Sequence, residues 1–269
     1  MRRMTVFEQW WAPIEQMMND QVPLNFFQTI YKEIYVNAIR DNRWQLYLNG
    51  LWVTLQVSFF AILLGTLLGT LLAVLRLPDI TELKYRGRNP LKKAGAAVLK
   101  CCSALAKFYI DLIRGTPLLL QVLIINFGIF GSIRIDKVII GVIACGLNSA
   151  AYVAEIVRGG ILSVDRGQTE AGRSLGFSAP STMLYIILPQ AAKSALPALC
   201  NEFIALIKET SILSYIALTE LTKAGDYIRS RTYSAFTPYI ISGLLYLLVT
   251  VILTKGIGRL ERRLRNSER

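Results

Sequence analysis

The longest apolar run in this chain covers residues 51–75 and contains no charged side chain. About 20 apolar residues suffice to cross a hydrocarbon core of roughly 30 Å, so the run is long enough to span a membrane. Lipid offers no hydrogen bonds to a backbone, and a spanning segment of this kind must therefore be a helix. Gly65 and Gly69 stand four residues apart in it and predict a face on which another helix approaches closely.

Four further apolar runs predict four more spans, at residues 104–130, 138–156, 191–206 and 239–253. Hydrophobic residues make up 53% of the 269 residues, above the roughly 45–50% expected of a soluble domain. The predicted fold is an all-α membrane protein with about five transmembrane helices. Residues 214–237, which include Glu220, carry charges with little apolar continuity and predict short external helices.

Basic residues predict the orientation of these spans. The chain has a net charge of +12, and many of its Lys and Arg side chains fall in residues 77–100 and after residue 254. Short basic loops stay in the cytoplasm, which predicts an N-out, C-in topology. Arg2 and Arg3, near the N-terminus, oppose this orientation. The sequence shows no basic stripe with interleaved aromatic residues, so nucleic-acid binding is not predicted.

The two ends of the chain flank a predicted transmembrane domain at residues 47–260. Residues 1–46 repeat aromatic and apolar side chains at roughly helical spacing, among them Trp10 and Trp11. This pattern predicts either an amphipathic helix at the membrane interface or a disordered tail with a few aromatic residues. Residues 261–269 predict a basic cytoplasmic tail.

Several classes of chemistry are excluded by residues that the sequence lacks. It contains no histidine, which rules out HExxH zinc sites and Ser-His-Asp triads. Its four cysteines form no CxxC pair, and it has no phosphate-binding loop of the G-x-x-x-x-G-K-[ST] type. We therefore expect neither an enzyme nor a bound metal or cofactor.

A polar segment, EAGRSLGFSAPSTMLYIILP, separates the third and fourth predicted spans. Its spacing resembles the EAA loop of bacterial ABC importer permeases, which reads E-A-A, three residues, G, nine residues and I-x-L-P. The matching positions are Glu170, Ala171, Gly176, Ile186, Leu188 and Pro189. Gly172 departs from the third alanine and, because Gly is a poorer helix former by about 1 kcal/mol, predicts a looser helix. An ordinary polar loop is the alternative.

A second stretch, DLIRGTPLLLQ at residues 111–121, resembles the RGTPLL motif of permeases for polar amino acids. Gly115 predicts a helix break, after which Thr116 can cap a new helix. The start of a helix presents free N–H groups, which broken helices in transporters use to bind anionic groups. Arg114 and Thr116 are therefore candidates for the translocation path. The alternative is a packing kink in which Arg114 pairs with Asp111.

Asn148 and Glu202 are polar side chains inside predicted spans, where such groups usually face the bundle interior or a cavity. Asn148 either lines the path or binds a neighbouring helix. Glu202 either contacts a cationic or zwitterionic substrate or has a fixed structural partner. The surrounding stretches, residues 147–161 and 196–213, resemble the same permease family.

The resemblance covers about residues 47–260 and implies a type I ABC importer permease core. It implies a coupling helix at about residues 168–176, with Glu170, Ala171, Gly172, Gly176 and Pro189 acting on an ATPase. The implied function is ATP-driven import of a polar amino acid by alternating access across a bacterial cell membrane.

The same resemblance implies the partners of this chain. They are a second permease subunit (a copy or a related chain), a cytoplasmic ATP-binding cassette ATPase dimer and an external substrate-binding protein. The lipid bilayer surrounds the two permease subunits. Two other classes remain open. One is a secondary amino acid transporter driven by an ion gradient, and the other is a membrane scaffold without transport of its own.

Overall fold

A computed structural model describes residues 6–77 and 90–266, which form helices joined by short links, with no strand in those two ranges. The helices are α1 Val6–Asn19, α2 Phe26–Ile34, α3 Trp44–Leu75, α4 Pro90–Arg114, α5 Leu118–Ile129, α6 Lys137–Leu162, α7 Arg166–Ser174, α8 Ala179–Ile216, α9 Leu221–Thr232 and α10 Thr237–Asn266. Part of the predicted basic segment at residues 77–100 and part of the predicted tail lie outside the described residues.

Four of the described helices are long and apolar enough to cross a membrane: α3, α6, α8 and α10 as far as Arg259. The pair α4 and α5 passes the same test together, but the two helices are bent by 107° at their break. The break predicted at Gly115 is present, yet residues 104–130 do not form one straight helix. α8 also extends beyond residues 191–206 in both directions, and both Pro189 and Pro197 lie inside it.

The bundle is assembled around the close contact of α3 with α6. A Cβ atom on Gly69 would lie 2.7 Å from the Ala150 carbonyl oxygen, and one on Gly65 would lie 2.9 Å from the Ser149 side chain. The close approach predicted from these two glycines is therefore observed. Beside it lies an apolar core to which α3, α5, α6 and α8 all contribute, including Val57, Ala61, Val122, Ile125, Ile140, Ala144, Leu206 and Leu213.

The first two helices pack against one another and against the other end of the chain. The Trp11 ring of α1 stacks on Tyr35, the first residue of the π-helical turn that follows α2, with ring centroids 4.5 Å apart. The Glu33 carboxylate accepts hydrogen bonds from the hydroxyls of Ser234 and Thr237, which lie between α9 and the start of α10. The first helices therefore contact the segment that joins α9 to α10, and their position at the membrane interface stays a prediction.

Candidate functional site

The predicted coupling helix is α7, which follows α6 after a three-residue link. Asp165 precedes it, and its carboxylate accepts a hydrogen bond from the Gly167 N–H at 2.6 Å. Gly176 ends the helical turn with φ +88°, a left-handed conformation that favours glycine. The Phe177 N–H then donates back to the Gly172 carbonyl at 3.1 Å. Local sequence thus determines both ends of this helix.

Gly172 is the one buried residue of α7, whereas Glu170 and Ala171 beside it are exposed. A Cβ atom on Gly172 would lie 2.8 Å from both Ile186 Cδ1 and Thr182 Cγ2 of α8. The departure from the third alanine of the motif therefore coincides with the point where α7 rests on α8. Sequence propensity predicts a looser helix at this position, and the structure shows a close helix contact there.

The outer side of this region combines charged and apolar side chains. Leu175 is 78% exposed and Phe177 is 41% exposed at the end of α7. The Arg173 guanidinium donates to the Phe177 carbonyl oxygen at 2.7 Å, which holds the turn in place. Pro189 is exposed, and it lies at the point in α8 where the α-helix resumes after a π-helical turn at Met183–Ile187. Exposed apolar groups on an ordered turn suit a surface that another protein covers.

The break between α4 and α5 is closed by side-chain hydrogen bonds. The Thr116 hydroxyl donates back to the Leu112 carbonyl oxygen at 2.9 Å and accepts from Gln121 Nε2 at 2.9 Å. Gln121 Nε2 also donates to the Ile113 carbonyl at 2.8 Å. The prediction that Thr116 caps α5 is wrong, because its hydroxyl serves the end of α4 and Pro117 occupies the cap position without a side-chain bond.

Asn148 is 4% exposed, and its Nδ2 atom donates to Gln121 Oε1 at 2.9 Å. The bond to a neighbouring helix, one of the two hypotheses for Asn148, is present, and the hypothesis that Asn148 lines the path stays a prediction. Gln121 was missed as a functional candidate, although a lone amide followed by the apolar residues 122–125 is a signal that the sequence contains. The amide nitrogen of Gln121 bonds to the end of α4 and its amide oxygen accepts from Asn148, so this side chain joins the broken helix to α6.

Arg114 is exposed, and its guanidinium lies 5.5 Å from the centroid of the Tyr152 ring on α6. This distance is typical of a cation–π contact. No ion pair between Arg114 and Asp111 is present among the described residues, so the predicted pairing is not formed. Arg114 therefore contacts an aromatic ring, and no described carboxylate forms an ion pair with it.

Glu202 lies on α8, and its Oε1 atom accepts a hydrogen bond from the fully buried Ser149 hydroxyl at 2.9 Å. Within the described part of the chain, no Lys or Arg forms an ion pair with it. Ser149 directly follows Asn148 on α6, so consecutive residues of one helix bind Glu202 and Gln121. We call Gln121, Asn148, Ser149 and Glu202 the polar seam, since they join α5, α6 and α8.

Comparison with known proteins adds an independent finding. A family model described as "Binding-protein-dependent transport system inner membrane component" matches residues 97–266. The chain is 37% identical over 233 residues to the probable glutamine ABC transporter permease protein GlnM of Bacillus subtilis (strain 168), which covers 86% of this chain and 99% of that protein.

A second relative and a solved structure agree with the first. The chain is 34% identical over 223 residues to the arginine transport system permease protein ArtQ of the same organism, covering 82% of this chain and 93% of that protein. A solved structure titled "Crystal structure of an amino acid ABC transporter with histidines" matches with a TM-score of 0.70 and 37% identity, over 90% of this chain and 100% of that one.

Proposed function

We infer the function of this chain from one premise: it belongs to the family of binding-protein-dependent transport system inner membrane components. Its relatives are named as permease subunits of amino acid ABC transporters. The chain is a multi-pass permease of the bacterial inner membrane and not an enzyme, and ATP hydrolysis lies in a separate subunit. Family membership also implies a substrate-binding protein and a second permease.

We propose that the chain imports a polar amino acid. The relatives named for glutamine and for arginine support this class, because both cargoes carry an ammonium and a carboxylate group. Glu202 is the proposed contact for the ammonium group, since its carboxylate accepts a single bond from the protein within the described residues. The proposed orientation is N-out and C-in, which places α7 in the cytoplasm.

Coupling to the ATPase is proposed to run through α7, and the contact of Gly172 with α8 is the observation that carries this proposal. Glu170 and Ala171 face outward, toward a partner, while Gly172 rests on Thr182 and Ile186. A displacement of α7 by the ATPase dimer therefore acts directly on α8, the helix that carries Glu202. Such a switch needs a partner that binds one state more tightly than the other.

The test is uptake of a radiolabelled amino acid into proteoliposomes that contain this chain, its ATPase, its second permease and its binding protein. Glu170→Ala is expected to reduce ATP-dependent uptake about tenfold, the effect of a coupling free energy near 1.4 kcal/mol. Glu15→Ala, which removes an exposed carboxylate from α1, is the matched control and is expected to transport normally. Co-purification of the ATPase is measured on the same samples.

Three outcomes would each overturn a part of this proposal. Uptake driven by an ion gradient alone, with no ATPase attached, would identify a secondary transporter instead. Equal uptake by Glu170→Ala and wild type, with the ATPase still bound, would show that α7 is not the coupling helix. A complex that assembles and hydrolyses ATP but moves none of the polar amino acids would remove the proposed cargo class and leave the coupling intact.

A further inference from the structure

A cavity of about 310 Å³ opens where α3 ends beside α4, and it is lined mainly by cationic side chains. Its lining residues are Arg76, Lys100, Ser103, Ala104 and Lys107. The four that lie on α4 follow the spacing i, i+3, i+4 and i+7, so they share one face of that helix. Arg76 reaches the cavity from the C-terminal end of α3.

The cavity has a surplus of positive charge. Arg76 pairs with Glu155 of α6, which also pairs with Arg158 at 2.7 Å. Among the described residues, no carboxylate lies within ion-pair distance of Lys100 or Lys107. Asp111, one turn beyond Lys107 on α4, does not pair with it either. Of the three cations that line the cavity, Arg76 is paired with Glu155, so two unpaired positive charges, those of Lys100 and Lys107, remain for a ligand.

The neighbouring face of α4 carries apolar side chains that point away from the bundle. Val98, Leu105, Phe108 and Leu112 are between 50% and 65% exposed. Residues 94–114 belong to the helix pair that is apolar enough to cross a membrane. A cationic cavity next to an exposed apolar strip is complementary to an anionic phospholipid, because the cavity suits the phosphate and the strip suits the acyl chains.

We propose that this cavity binds the phosphate group of an anionic phospholipid, whose acyl chains lie along the exposed strip of α4. Lys100 and Lys107 supply the charge, and the hydroxyl of Ser103, a residue that is 9% exposed, is placed to donate a hydrogen bond. The bound phosphate offsets the repulsion between Arg76 and the two lysines. It thereby stabilises the junction of α3, α4 and α6.

The experiment measures the thermal unfolding temperature of the purified full chain in detergent, titrated with phosphatidylglycerol, phosphatidylcholine or inorganic phosphate. Phosphatidylglycerol is expected to raise this temperature saturably, whereas phosphatidylcholine and millimolar phosphate are expected to leave it unchanged. Lys100→Gln and Lys107→Gln are each expected to weaken the apparent affinity for phosphatidylglycerol about fivefold, as the loss of one cation near an anionic lipid predicts.

Charge-matched controls separate the site from general attraction. Lys193→Gln and Lys255→Gln remove exposed lysines elsewhere and are expected to bind phosphatidylglycerol as wild type does. Lys100→Arg keeps the charge and is expected to retain binding. If a variant has a changed unfolding temperature already in phosphatidylcholine, its lipid binding is measured by native mass spectrometry, which counts bound lipids directly.

Three results would overturn the proposal. Equal losses in the control pair and the site pair would show a surface-wide effect of charge. A stabilisation by inorganic phosphate as large as that by phosphatidylglycerol would assign the cavity to a soluble phosphate compound instead of a lipid. Unchanged lipid counts and affinities in Lys100→Gln and Lys107→Gln would exclude the cavity as the binding site.

Discussion

Glu220 and Glu202 each place a carboxyl group inside the bundle, but they differ in how many hydrogen bonds the protein supplies. Glu220 is completely buried and accepts bonds from the Thr222 N–H, the Lys223 N–H and the Tyr246 hydroxyl at 2.7–2.8 Å. Glu202 is partly exposed and accepts one bond, from Ser149. A carboxylate has about four acceptor positions. The protein uses most of those of Glu220 and leaves most of those of Glu202 unused.

This difference separates a structural acid from a candidate for substrate contact. Glu220 caps the start of α9 and ties it to α10 through Tyr246, so its bonds already determine the local fold. Glu202, within the polar seam, keeps unused acceptor positions, as an ammonium contact requires. The comparison predicts that the first side chain affects stability above all, and the second transport above all.

Glu220→Ala is expected to have the largest effect on stability. It removes the N-cap of α9, worth about 1 kcal/mol, and takes the 2.8 Å acceptor from the Tyr246 hydroxyl, which keeps only its longer 3.4 Å contact with the Thr222 hydroxyl; a weakened buried hydrogen bond of this kind costs about 1–3 kcal/mol. We therefore expect a loss of about 2–4 kcal/mol in the free energy of unfolding, measured by denaturant or thermal unfolding in detergent. Tyr246→Phe removes one of the three donors and is expected to lose less. A stability equal to wild type for Glu220→Ala would remove the basis of the comparison.

Glu202→Ala is expected to lose at most about 1 kcal/mol of stability, because one hydrogen bond is broken and Ser149 can donate to its own helix backbone instead. Its uptake is expected to fall about tenfold or more, since a hydrogen bond to a charged group is worth ~1.5–3 kcal/mol. Ser149→Ala is the control, because it breaks the same bond and keeps the carboxylate.

The comparison requires Glu202→Ala to differ from Ser149→Ala in uptake and from Glu220→Ala in stability. If Ser149→Ala loses as much uptake as Glu202→Ala, the position of the carboxylate matters as much as its charge. If Glu202→Ala unfolds as easily as Glu220→Ala while its transport per folded molecule stays normal, Glu202 is a structural residue and the proposed substrate contact is wrong.

The features that sequence predicts well are those determined by neighbouring residues. The apolar run at residues 51–75 forms most of α3, because hydrophobicity and helix formation are local properties. The end of α7 at Gly176 follows from one glycine in a left-handed conformation. The break at Gly115 is equally local, although its angle of 107° depends on how α5 packs into the core.

The features that sequence does not predict depend on contacts between distant residues. The sequence predicts Glu220 to be one of several charges in an external segment. In the structure it is completely buried, because Tyr246 and the start of α9 enclose it. Helix propensity predicts a looser helix at Gly172, and it gives no information on the contact of Gly172 with Ile186. Thr116 has the residue type of a cap, but its hydroxyl donates to the end of α4 and accepts from Gln121 instead.

Asp226 on α9 provides a third carboxylate that separates the effect of charge pairing from that of burial. It is 31% exposed and pairs with Lys223 at 2.9 Å and with Arg229 at 3.0 Å. The hydrogen bond from Lys223, followed by that from Arg229, lowers the pKa of Asp226 from 3.8 to about 2. Paired but partly exposed, Asp226 is expected to matter less for stability than Glu220.

A carboxyl whose pKa is lower in the folded state stabilises the fold above its unfolded pKa and loses that contribution as the pH falls through its folded pKa. Wild type is therefore expected to lose a component of stability between about pH 4 and pH 2 that Asp226→Asn lacks, smaller than about 1 kcal/mol because solvent screens the pairs. Asp20→Asn, which removes an exposed acid from the turn after α1, is the control and is expected to keep the wild-type pH profile. If Asp226→Asn loses as much stability at pH 7 as Glu220→Ala, pairing with cations outweighs burial in this protein, and the number of bonds accepted no longer distinguishes Glu220 from Glu202.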